Sequence, residues 1–104
     1  KIWLQELENS IEQMIESRQE ITTGLLAQKN HLSERQLLRK IREQTGLTTQ
    51  KFVQDVKLRL AYRWVEEKKY KQIKELSEAL GFRSASYFSS LFQARFGKNP
   101  RDFF

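Results

Sequence analysis

LAQKNHLSERQLLRKIREQTG, residues 26–46, and LSEALGFRSASYFSSLFQARFG, residues 76–97, are one pattern written twice. Leu26-Ala27 and Leu32 return as Leu76-Ser77 and Phe82 at an offset of 50. Ser33, Leu37, Ile41, Gly46 and Phe52 then return as Ser84, Phe88, Phe92, Gly97 and Phe103 at an offset of 51. In each copy a helix ends near a small residue, a large apolar residue crosses the corner, a serine starts a second helix and a glycine stops it. That is the grammar of a helix-turn-helix. Two copies are too few for a solenoid, which needs about three stacked repeats to bury its faces, so the pair reads as two nucleic-acid readers in tandem.

Working outward, glycine and proline are scarce (four and one), and apolar residues fall at three- and four-residue steps almost throughout. This periodicity predicts an all-α domain. A first helix is expected over 2–16, with Leu4, Leu7, Ile11, Met14 and Ile15 on one face and Trp3 turned toward a neighbouring domain. A second, over 23–28, is capped by Thr22 and buries Leu26 and Ala27. The third starts behind Ser33, which has capping-box spacing to Gln36, presents Leu37, Leu38 and Ile41, and stops at Gly46. A long fourth helix over 49–67 carries Phe52, Val53, Val56, Leu60, Trp64 and Val65 and would be a rod of about 28 Å. A fifth over 73–80, a sixth from Ser84 to Phe96 and a short turn over 102–104 complete the chain. The expected parts are an N-terminal helix and connector (1–19), a first helix-turn-helix (20–48), a linker helix (49–68) and a second helix-turn-helix with its C-terminal turn (69–104).

Composition narrows the chemistry. At 104 residues the chain is one domain's worth, able to bury a core without staples. It has no cysteine, hence no disulfide and no thiolate nucleophile, which fits a cytoplasmic setting. No apolar run approaches the roughly 18 to 20 residues that span a bilayer, so membrane contact is not expected. The chain opens on Lys1 rather than methionine, and a sensing or dimerising domain is expected upstream. The net charge is +6, unevenly placed. Residues 1–20 hold two basic against five acidic groups, whereas 21–104 hold 17 against 8, a net +9. The positive field belongs to the repeats and suits a polyanion.

Within the first repeat, burial of Leu37 and Ile41 turns Arg35, Gln36, Arg39, Lys40 and Arg42 outward or sideways. Arg35 and Arg39 are one helical turn apart and can lie along a major-groove floor, forking onto guanine O6 and N7. Glu34 and Gln36 at the helix start can touch cytosine or adenine edges or position water. The second repeat keeps the apolar skeleton but shows Ser86, Ser89, Ser90 and Gln93 where the first has Arg35, Leu38, Arg39 and Arg42. Hydroxyls more often meet phosphate than choose a base, so a softer preference is expected there. Phosphate contacts are expected from Ser33, Lys40, Arg42, Arg83, Ser84, Gln93, Lys98 and Arg101, with Arg83 at a helix N-terminus.

Leu26-Ala27, Ser33, Leu37, Arg39, Gly46, Phe52, Arg59-Leu60-Ala61, Ile73, Leu76, Gly81-Phe82, Ser86-Tyr87-Phe88, Phe92, Gly97, Pro100 and Phe104 closely resemble the AraC/XylS-type DNA-binding domain over residues 20–104. The resemblance implies seven helices, with two helix-turn-helix subdomains on a linker helix and their recognition helices in successive major grooves of double-stranded DNA. It places base reading on Arg35, Leu38, Arg39, Ser86, Ser89 and Ser90, and it implies activation through RNA polymerase. The chain departs from that pattern at Thr49 (usually proline), Asn99 (Ser or Thr), Ser90 and Gln93 (basic), Ser77 (alanine) and Ile41 (aromatic). The helix over 3–16 resembles the segment that opens this domain at the output end of bacterial hybrid two-component sensor-regulators.

Other chemistry is thin. His31 is the only histidine, and without cysteines or clustered carboxylates it makes no ordinary metal site. Glu66-Glu67 abut Lys68-Lys69, and Glu75 and Glu78 lie on an exposed helix side; paired catalytic acids need a pocket that shifts one pKa. No enzyme, cofactor or metal is expected. The aromatics Phe82, Tyr87, Phe88, Phe92 and Phe96 and Trp64 read as core rather than a stacking platform. The competing reading is a helical module that docks onto another protein, its basic surface incidental.

Overall fold

The computed structural model describes residues 2–104. Its elements are α1 (Ile2–Glu16), α2 (Thr23–Lys29), α3 (Glu34–Thr45), α4 (Thr49–Glu66), α5 (Ile73–Ala79), α6 (Ala85–Phe96) and a 3-10 turn, Pro100–Phe103. Among the described residues the fold is all-α. Two compact units divide within α4, the first ending at Val56 and the second spanning Lys57–Phe104.

In the first unit α1 packs on α2 and α2 on α3. Leu7, Ile11 and Met14 of α1, Leu26 of α2, and Leu37 and Ile41 of α3 are fully buried. Leu4 is only half-buried. The Thr22 hydroxyl caps α2 by accepting from Leu25 N at 3.1 Å. The expected capping box is formed at α3: Gln36 N donates to Ser33 Oγ at 3.1 Å and Ser33 N to Gln36 Oε1 at 2.9 Å. Gly46, at φ +75°, ends α3 in the left-handed region with its N–H on Arg42 O.

The second unit repeats the device, with α5 on α6 and the 3-10 turn on α6. Phe88 and Phe92 are fully buried. Tyr62 of α4, absent from the expected core, is a hub: its ring lies 5.8 Å from Phe92, 4.8 Å from Phe96 and 5.5 Å from Phe103. Ser84 caps α6 by accepting from Tyr87 N at 3.0 Å, and Gly97 stops it at φ +72°.

The two corners close with the same pair of bonds. Leu32 N donates to Ala27 O at 2.9 Å and His31 N to Gln28 O at 3.1 Å; fifty residues on, Phe82 N donates to Ser77 O at 3.0 Å and Gly81 N to Glu78 O at 3.1 Å. These paired bonds are the closure of a helix whose next residue is left-handed. That residue is Gly81 (φ +82°) in one corner and His31 (φ +58°) in the other. The offset grows to 51 because Arg83 is inserted between the corner and its cap.

Element ends differ slightly from expectation. α4 stops at Glu66 because Lys68 turns left-handed (φ +58°) and Lys69 N closes on Trp64 O. Leu80 is the C-cap of α5 rather than its last helical residue. The final turn begins two residues early, since Asn99 caps it through Arg101 N and Pro100 fits its first position.

Candidate nucleic-acid interface

Positions 35, 38, 39 and 42 are spaced i, i+3, i+4 and i+7, so Arg35, Leu38, Arg39 and Arg42 form one stripe along α3. All four are exposed, Leu38 at 47%. On α6 the same spacing groups Ser86, Ser89, Ser90 and Gln93, of which Ser89 is half-buried and the others exposed. Each stripe lies away from the buried pair that anchors its helix, Leu37 and Ile41 in one and Phe88 and Phe92 in the other. Leu38, expected both on the apolar side of its helix and in a base-facing slot, is an exposed apolar residue among arginines.

Several candidate side chains already have partners. The Ser33 and Ser84 hydroxyls accept from their helices, and Gln36 Oε1 is held by the capping box. The Arg42 guanidinium donates to Gly46 O at 3.2 Å, across the C-terminal end of α3. Lys40 is half-buried, its ammonium 4.9 Å above the Trp3 ring. Trp3 thus packs within its own unit, and its Nε1 is buried without a hydrogen-bond partner. Lys98 donates to the Tyr62 hydroxyl at 3.4 Å, and Arg101 is exposed.

Arg83, the inserted residue, stacks its guanidinium 4.1 Å over the ring of Tyr87, and that ring in turn lies 6.4 Å from Phe82 in an edge geometry. Tyr87 is therefore not core: it is 37% exposed and serves as a shelf for Arg83. The i, i+4 spacing of the two residues carried that signal. Nothing in the sequence marked Lys57, which is half-buried with its ammonium 5.4 Å over Phe82, and burial lowers its pKa from the ordinary lysine value.

Among the described residues no group of His, Asp and Glu could hold a metal ion, and no helix is long and apolar enough to cross a membrane. His31, Glu66, Glu67, Glu75 and Glu78 are all exposed.

A family model described as a helix-turn-helix domain matches residues 26–104. The chain belongs to the AraC-type helix-turn-helix family. Over 83 residues it is 30% identical to the HTH-type transcriptional activator RhaS of Escherichia coli strain SE11, covering 80% of the chain and 30% of that protein. Over 77 residues it is 32% identical to histidine kinase P4 of Formosa agariphila, covering 74% of the chain and 6% of the kinase. The chain thus spans a third or less of these relatives. Its fold matches the crystal structure of a transcriptional regulator with an AraC-type DNA-binding domain from Chromobacterium violaceum with a TM-score of 0.78, at 24% identity, covering 99% of the chain and 93% of that structure. The AraC-type family is one of DNA-binding transcription regulators, and the chain is not an enzyme.

Proposed function

We propose that the chain reads double-stranded DNA by setting α3 and α6 into successive major grooves. The observation that carries this reading is the pair of stripes at matching positions, exposed apart from the half-buried Ser89, each on a helix with a buried anchoring pair, a serine N-cap and a glycine stop. Base reading is assigned to Arg35, Gln36, Leu38, Arg39, Ser86, Ser89 and Ser90. Phosphate contact is assigned to Ser33, Lys40, Arg42, Arg83, Ser84, Gln93, Lys98 and Arg101. For Ser33 and Ser84 that contact is secondary to capping.

In this reading residues 20–48 and 69–104 are the two helix-turn-helix parts, 49–68 the linker and 1–19 the lead-in. The effect on transcription is activation through RNA polymerase, a reading supported by the likeness to an activator. The chain works in the cytoplasm as the output part of a longer protein with a sensing or dimerising domain upstream. Likeness to a segment of a histidine kinase supports a hybrid two-component sensor-regulator.

Selection of bound duplexes from a random pool tests the core of this reading. Two preferred segments about one helical turn apart, with affinity falling steeply as salt rises, are expected. Recovery of no preferred duplex, or salt-insensitive association with protein, would refute it in favour of a docking module.

A further inference from the structure

We infer that Leu38 makes the first reader select a thymine, by packing on the C5-methyl group in the major groove; this rests on the duplex-DNA reading above. Leu37 and Ile41 next to it are fully buried, yet Leu38 stands 47% exposed in the middle of the α3 stripe. Arg35 and Arg42 lie one turn before and after it, and Arg39 lies beside it, all exposed. Three guanidiniums along two turns make this face complementary to a polyanion rather than to an apolar protein patch. Leucine neither donates nor accepts a hydrogen bond, so the one base-edge group it can recognise in the major groove is the thymine methyl. The neighbouring arginines suit guanine. The first segment is therefore a short guanine-containing sequence interrupted by a required thymine. The matching position on α6 is Ser89, half-buried and hydroxylic, so the second segment lacks this requirement.

The test substitutes deoxyuridine, which differs from thymidine only by that methyl, one position at a time in the selected duplex. Wild type is expected to lose about fourfold in affinity at one position of the first segment, the burial of about one methyl group, and nothing in the second. Leu38→Ser, a change at an exposed position that leaves the core intact, is expected to bind the thymidine and deoxyuridine duplexes equally. Indifference of the wild type to deoxyuridine throughout the first segment overturns the inference, as does an unchanged fourfold loss in Leu38→Ser. Either result leaves two-segment binding standing, whereas absence of any selected duplex would remove that reading as well.

Discussion

Replacing His31 with glycine should stabilise the protein, and replacing its counterpart Gly81 with alanine should do the reverse. Both residues occupy the left-handed position that closes a helix at the corner, at φ +58° and +82°. An L side chain held there costs about 1–2 kcal/mol. Glycine loses about 0.5–1 kcal/mol more backbone freedom on folding than a residue with a side chain. The difference leaves a gain of about 0.5–1 kcal/mol for His31→Gly. The same terms give a comparable loss for Gly81→Ala, because its new Cβ would meet only Lys57 Nζ, the end of a flexible side chain, at 3.4 Å. For a chain of this size that corresponds to melting shifts of about 2–6 °C in opposite directions. Thermal and urea melts followed by circular dichroism read the effect, and DNA affinity per folded molecule should not change, since neither residue lies on a stripe. A lower midpoint for His31→Gly, or a higher one for Gly81→Ala, would show that the corners are not limited by backbone conformation.

Five further substitutions separate roles. Ser33→Ala should destabilise by about 1 kcal/mol and Ser84→Ala by somewhat less, because only the first breaks a reciprocal box; urea midpoints check the order. Burial lowers the Lys57 pKa, so the unfolded chain binds more protons in the interval between the lowered folded value and the ordinary value near 10.4. Stability must therefore rise with pH across that interval, the burial penalty being complete below it. Urea midpoints should show Lys57→Met, which cannot titrate, lacking the alkaline rise. Arg39→Ala should relax base choice in the first segment, by about 1–3 kcal/mol of discrimination. Arg83→Ala should weaken all sequences alike and reduce the salt slope by about one; binding selection and salt titration distinguish the two.

The repeat at offsets 50 and 51 determined the fold class, the two corners and both stripes, because helix periodicity, caps and stops are written within a few residues of where they act. Ser33 with Gln36, and the stop glycines Gly46 and Gly97, are such local signals. Only the tertiary structure decided which apolar residues stay in water. Leu37 and Leu38 are adjacent leucines on one amphipathic helix, yet packing on α2 seals the first and leaves the second at 47% exposure. Trp3 over Lys40, Tyr62 among the phenylalanines of α6, and Lys57 over Phe82 join positions 25 to 37 residues apart. Periodicity specifies which face of a helix turns inward, whereas the identity of the side chains that meet there depends on helices brought together from distant stretches of chain.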